Sequence, residues 1–279
     1  MTATTATGGG SAEPIPLREN RATPRRHWAP VVRNREVAEA TWWLEVDAPE
    51  IAAASRPGQF LMIGFGVENT GAPFIPRPFS VGWRSPEGVI GLLVRAFGAG
   101  TRRLGALDPG DDVLLLGPLG SAFRPEPGRP SLCVAGGVGL APFLFLAPEF
   151  RDRGHEVRLL YGERTGARVF DPDLIRELTR GDVEIWTEDG EAGSRGLVVE
   201  GIDLSDDPIL MGCGPTPMLQ ALARTAFEEE IPLQVSVEEH MGCGIGTCQG
   251  CVVPAAGGGW MKACTRGPVF EARELQWEL

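Results

Sequence analysis

Four cysteines constrain this chain more than any other feature: Cys243-Gly-Ile-Gly-Thr-Cys248-Gln-Gly-Cys251, closed by Cys264 after twelve intervening residues. A gap of four residues, then of two, with one further cysteine beyond, is the ligand spacing of a plant-type 2Fe–2S site, which needs four thiolates and no histidine. Gly242, Gly244, Gly246 and Gly250 let the backbone curl tightly there, bringing N–H groups near the sulfurs where they help set the reduction potential. Two other uses of four cysteines compete. A structural zinc site usually shows two paired knuckles, and the second is missing. A disulfide scaffold is short and dense in cysteine, whereas this chain has six in 279 residues.

A one-electron carrier near the end of a chain needs a feeder upstream. The length suggests about two domains plus an appendage. A net charge of −11 argues against nucleic acid as a partner. No apolar run approaches the ~20 residues of a membrane span, and the N-terminus lacks a signal-peptide pattern, so a cytoplasmic location is expected.

Residues 1–26, rich in Thr, Gly, Pro and Arg, read as a disordered tail carrying Arg18, Arg21, Arg25 and Arg26. From 27 to 127, six short β-like runs (31–35, 41–46, 59–65, 79–83, 89–94 and 112–116) lie between Gly/Pro turns, with a helical turn over 102–106. They predict a small antiparallel barrel. From 128 to 233 the rhythm becomes strand–helix: strands at 131–135, 157–161, 183–187 and 208–211, helices at 141–152, 171–179 and 216–229. That is a parallel α/β sheet. Residues 234–238 read as an extended link into a cluster region, 234–279.

Arg77-Pro78-Phe79-Ser80 begins a strand, where a guanidinium can grip a pyrophosphate and an aromatic ring can lie against a heterocycle; an ordinary strand start is the alternative. Gly98-Ala-Gly100-Thr101 is a turn suited to phosphate. Gly136-Gly137-Val-Gly139 and Gly212-Cys213-Gly214-Pro215 each follow a strand and open a helix, the context of a nucleotide loop, although neither is the G-x-G-x-x-G fingerprint. Cys133, on an apolar strand, reads as core. Glu163 stands where a carboxylate could accept ribose hydroxyls of NAD, with Arg164 beside it arguing the opposite. His240 could tune the cluster or be a surface residue. No catalytic triad or dyad is visible.

These motifs, in this order, resemble the ferredoxin–NADP reductase superfamily. With the four cysteines and their short final gap, residues 28 onward resemble the electron-transfer subunits of NAD-dependent (class 1B) dihydroorotate dehydrogenase. The resemblance implies a multi-domain protein: an antiparallel β-barrel FAD domain, a parallel α/β NAD-binding domain and a small 2Fe–2S domain. Arg77, Pro78, Phe79 and Ser80 would meet the flavin, Val94 and Arg95 its adenosine side, and Gly100 and Thr101 its phosphates. Phe79 replaces the more usual Tyr of the superfamily and keeps its aromatic face. Gly136, Gly137, Gly139, Gly212 and Gly214 would hold NAD, with Cys213 and Ser80 at the hydride-transfer centre and Cys243, Cys248, Cys251 and Cys264 on the cluster. The resemblance also implies an FMN-containing catalytic partner that oxidises dihydroorotate in pyrimidine biosynthesis, in a hetero-oligomer of two copies of each subunit. Electrons would run from FMN through the cluster to FAD and then to NAD⁺. Trp260, Met261 and Trp277 are candidate docking anchors or packing over the cluster. The rivals are a flavin/iron–sulfur subunit of another NAD(P)-linked complex (hydrogenase, sulfur reductase or bifurcating enzyme) and a non-catalytic redox sensor.

Overall fold

The computed structural model describes residues 23–65 and 75–278. Arg18 and Arg21 lie outside them. The N-terminal half is built from β1 (Arg25–Ala38), β2 (Thr41–Asp47), α1 (Pro49–Ala54), β3 (Phe60–Gly64), β4 (Arg77–Ser80), β5 (Trp83–Arg84), β6 (Val89–Arg95), α2 (Ala99–Gly105) and β7 (Asp112–Leu119). Its seven strands form one antiparallel sheet in the order β4-β3-β7-β1-β2-β6-β5. β1 serves both halves of this sheet: Arg25 to Pro30 pair with β7, and Val31 to Ala38 pair with β2. Register shifts between Val31 and Arg33 and between Glu36 and Ala38 bend the strand, as bulges do, and curl the sheet.

Three expectations are corrected here. The first strand begins at Arg25, so Arg25 and Arg26 are paired backbone and not tail. The sheet is a half-barrel: among the described residues it stays open between β4 and β5, its two edge strands. The run expected as one strand over 79–83 is broken into those two edges.

The second half holds β8 (Ser131–Gly136), α3 (Ala141–Arg151), β9 (Val157–Glu163), α4 (Pro172–Thr179), β10 (Glu184–Thr187), β11 (Ser194–Arg195), β12 (Ile209–Cys213), α5 (Thr216–Glu228) and β13 (Leu233–Ser236), followed by β14 (Val252–Pro254), β15 (Trp260–Lys262) and β16 (Val269–Glu271). The sheet order is β11-β10-β9-β8-β12-β13-β16, parallel up to the last strand. The expected link at 234–238 is in fact mostly β13, a strand of this sheet, and β16 returns antiparallel beside it. Asp171 caps α4 by accepting from the amides of Asp173 and Leu174, which explains a start at a polar residue.

α3 is apolar on every side because it lies between the two sheets. Phe145 enters the core of the curled sheet beside Ile51 and Leu61, while Phe143, Leu144 and Phe150 pack with the parallel sheet. Arg84 reaches across to Glu149 at 2.8 Å and stands over the Phe145 ring. Trp43 of β2 meets Phe170 with ring centres 5.8 Å apart. Each such buried side chain stabilises by about 1.5–3 kcal/mol, so the seam is an apolar joint. Among the described residues no helix is long and apolar enough to cross a membrane.

Candidate functional site

The cysteine loop leaves the parallel sheet after β13 and returns at β16. All six cysteines are free; Cys251 and Cys264 are buried, Cys243 is half-buried and Cys248 exposed. Gly244 (φ +71°) and Gly246 (φ +86°) take left-handed backbone, which winds amides round the first sulfur. The Cys248 amide donates to Cys243 Sγ at 3.4 Å. Burial raises the Cys243 thiol, but the amides of Cys248, Ile245 and Thr247 outweigh it and bring the thiol down to about 6. Burial, then the hydrogen bond and charge of Cys251, push Cys264 up to about 12. Among the described residues no three His, Cys, Asp or Glu side chains converge on one point, whereas a two-iron cluster shares four thiolates between two irons. Soft sulfur donors ringed by amides fit that group.

The loop is seated on the curled sheet. A Cβ on Gly244 would lie 2.5 Å from Met62 Cγ and 2.9 Å from Leu119 Cδ1, so only glycine admits this approach. Ser121 fastens the returning segment: its amide donates to Gly267 O at 2.6 Å and its hydroxyl to Val269 O at 2.7 Å. Met62 pairs with Pro78 across β3 and β4. The cysteine loop therefore touches the strand adjoining Arg77-Pro78-Phe79-Ser80.

Those four residues form β4 and are all half-buried. Arg77 donates to the Ile75 carbonyl. Val94 is buried; Arg95 beside it is bound to Glu163 and Thr41. The Thr101 hydroxyl accepts from the Phe97 and Gly98 amides at 2.9 and 3.1 Å, ordering the turn before α2. Gly98 has open space around it, and Phe97 is 75% exposed. An aromatic face left open beside a glycine turn suits a flat heterocycle.

In the parallel sheet, β9 and β12 flank β8 on opposite sides. That reversal of strand order is a topological switch point, where open α/β sheets bind ligands at the carboxyl ends of their strands. Gly136 to Gly139 and Gly212 to Pro215 meet there. A Cβ on Gly139 would sit 2.2 Å from Cys213 O, and one on Gly136 2.7 Å from Pro215 Cδ. Cys213 is buried; burial, then the negative charge of Glu238, push its thiol up. Glu238 is solvent-accessible at a crevice crowded by protein, and this crowding raises its carboxyl while Arg95 pulls it down. Ser80 and Cys213, expected together at the reacting centre, lie on different sheets at the ends of β4 and β12. Glu163 is also at a strand end, but its carboxylate is engaged by Arg95 and Tyr161.

The chain is 37% identical over 252 residues to the dihydroorotate dehydrogenase B (NAD(+)) electron transfer subunit of Desulforamulus reducens, covering 87% of this chain and 95% of that one. The chain belongs to this family. The Shouchella clausii subunit of the same name is also 37% identical, over 254 residues, covering 88% of this chain and 96% of that one. Residues 238–276 match the iron–sulfur cluster binding domain of dihydroorotate dehydrogenase B, a span that contains all four clustered cysteines. Among solved structures, a NADH-dependent reduced ferredoxin–NADP oxidoreductase, studied for flavin-based electron bifurcation, superposes with a TM-score of 0.79 at 28% identity over 90% of each chain. A ferredoxin reductase of carbazole 1,9a-dioxygenase superposes with a TM-score of 0.65 at 25% identity, over 77% of this chain and 69% of that one.

This member of the dihydroorotate dehydrogenase B family is thus an oxidoreductase subunit with reductase-like architecture. Sequence reasoning passed over three residues of the candidate site. Phe97 carried a signal, a large aromatic between strand and glycine turn. Ile245, 52% exposed inside the cysteine loop, carried one too, as a bulky residue among glycines. Glu238 carried none, because only the fold brings it to Cys213. Of the expected anchors, Trp260 is 70% exposed, whereas Trp277 packs inward and donates to Ala272 O at 2.8 Å. Met261 is half-buried.

Proposed function

We propose that this chain carries FAD on the half-barrel, NAD at the switch point and a 2Fe–2S cluster in the C-terminal loop. It passes electrons from an FMN-containing, dihydroorotate-oxidising partner to NAD⁺. The observation that carries this reading is the cysteine loop seated on Met62, next to the strand of Arg77–Ser80. When bound, a flavin exchanges electron pairs with a nicotinamide and single electrons with an iron–sulfur centre.

The chain's own residues bind, orient and shield. Cys243, Cys248, Cys251 and Cys264 supply four thiolates, and the surrounding amides stabilise negative charge on sulfur. Arg77 supplies a guanidinium for the flavin pyrophosphate, Pro78 and Phe79 a wall, and Ser80 a hydroxyl at the ring. Val94 and Arg95 back the adenosine side, where Phe97 offers its face; Gly100 and Thr101 shape the phosphate turn. Gly136, Gly137, Gly139, Gly212 and Gly214 let two loops close on the nicotinamide nucleotide. Cys213, neutral in its buried site, shapes the crevice floor, and Glu238 stands at its mouth to orient the nicotinamide. We assign residues 27–127 to the FAD module, 128–233 with β13 and β16 to the NAD module, and the intervening loop to the cluster. Trp260 and Ile245 form the face toward the partner, in an assembly of two copies of each subunit.

The test is co-purification from the native cell followed by an assay of dihydroorotate-dependent NAD⁺ reduction. A catalytic subunit that co-purifies and supports this activity is the expected result. The likeness to a bifurcating reductase supports a second reading, a flavin subunit of such a complex, and recovery of a ferredoxin-linked partner would favour it.

A further inference from the structure

Arg95 ends β6 in the curled sheet and Glu163 ends β9 in the parallel sheet, 68 positions later. Their charged groups meet at 2.5 Å, with side chains only 11% and 3% exposed. Arg95 Nε also donates to Thr41 Oγ1 at 3.0 Å, and its Nη2 to Arg168 O at 3.4 Å. On the other side, the Tyr161 hydroxyl donates to the same Glu163 oxygen at 3.1 Å and accepts from the Phe170 amide at 3.3 Å. Burial first, then the charge of Glu163, push the Tyr161 hydroxyl upward, so it remains a donor. An unbroken chain of polar contacts therefore crosses the seam from Thr41 to Phe170.

Other bonds tie the same stretch to the β1–β2 hairpin. The Glu39 amide donates to Ala167 O at 3.0 Å and the Asp171 amide to Val37 O at 3.2 Å. Arg168 pairs with Glu39 at 3.3 Å, but these side chains are 40% and 60% exposed, and exposed pairs contribute little. Arg95–Glu163 is the desolvated pair, and removing either partner strands a buried charge. It also underlies the nucleotide loop. Gly137, at φ +58°, faces the pair: a Cβ there would make ordinary contact, 3.5 Å from Arg95 Nη1 and 3.8 Å from Glu163 Oε1.

An acidic residue at such a strand end ordinarily reads the ribose of a bound dinucleotide. Here the carboxylate is only 3% exposed, and its Oε1 takes both contacts from within the protein, from Arg95 and Tyr161. We infer that Glu163 with Arg95 is a positioning pair, fixing the seam between the two sheets and supporting the Gly136–Gly139 loop from below, and that Glu163 does not discriminate NAD from NADP. The inference rests on the flavin-to-nicotinamide reading above.

The experiment uses the FAD-loaded full chain with Glu163→Ala and Glu163→Gln, read by NADH- and NADPH-driven dye reduction and by amide hydrogen exchange over residues 164–171. Glu163→Ala should lower kcat with NADH by roughly tenfold or more, as misplacement of reactants does. The ratio of NADH to NADPH efficiency should change by less than about twofold, since no ribose contact is lost. Exchange at the Phe170 amide should accelerate. Glu163→Gln keeps an oxygen for Arg95 and Tyr161 but leaves the buried guanidinium without a counter-charge, so it should recover only part of the kcat and of the protection lost in Glu163→Ala. A shift of preference toward NADPH by about tenfold or more, with exchange unchanged, would mark a ribose contact and overturn the inference. If Glu163→Ala fails to fold, the same two readings on Glu163→Gln decide. Absence of NADH-driven dye reduction in the unmodified chain would sink the underlying reading instead, while the exchange experiment still judges the seam.

Discussion

At the scale of single residues, the roles separate by which electron step they touch. Replacing Cys248 by Ser removes one of four thiolates, so dihydroorotate-dependent NAD⁺ reduction by the assembled complex should collapse while NADH still reduces the flavin of this chain; stopped-flow absorbance follows both. Gly244→Ala is the steric counterpart. Its Cβ would press on Met62 from a backbone of φ +71°, so the loop must lift, and transfer between cluster and flavin should slow with the cluster retained. Glu238 gives a pH prediction. Crowding by the surrounding protein raises its carboxyl in the folded chain, so the fold holds that proton to higher pH than the unfolded chain does. Its contribution to stability is complete below the ordinary carboxylate value and is lost as pH rises through the raised one. Glu238→Gln should flatten that decline, checked by denaturation midpoints in weakly acidic and neutral buffer. The cysteines were legible from sequence because their spacing is itself the ligand geometry. Glu238 was missed, and the pairing of Glu163 with Arg95 was invisible, because Cys213 and Arg95 come from distant strands.

Elements carry the nucleotide crevice and the seam. The Gly136–Gly139 loop can lie against the Cys213 carbonyl only because Gly139 has no side chain, and a backbone oxygen cannot swing aside. Gly139→Ala should cost about 1–3 kcal/mol by overpacking and raise KM for NADH, measured by chemical denaturation and steady-state kinetics. Phe145→Ala would empty the point where α3 enters the half-barrel core, costing about 3–5 kcal/mol. Its unfolding should then show the two sheets melting separately. The strand–helix rhythm that built the parallel sheet was readable as far as α5, apart from the two-residue edge strand β11. The half-barrel was less so, because β4 and β5 are too short to show a period. β13 and β16 escaped because a three- or four-residue strand is recognised only by its neighbour.

For the whole molecule, two exposed apolar side chains, Ile245 and Trp260, stand out on the cysteine-bearing end of an acidic protein. Replacing both by charged residues should weaken association with the catalytic partner by about 2 kcal/mol or more, the loss typical of interface anchors; analytical ultracentrifugation or titration calorimetry measures it. The route of the chain has a broader consequence. Ser236 and Val269 are direct neighbours across β13 and β16, so the cysteine-bearing segment departs from and returns to adjacent points of one sheet. It is a cassette inserted into a hairpin. A reductase without the cassette needs only a short turn at that place, so a lineage can acquire or discard the one-electron outlet in a single insertion or deletion without rebuilding the two-cofactor body beneath it.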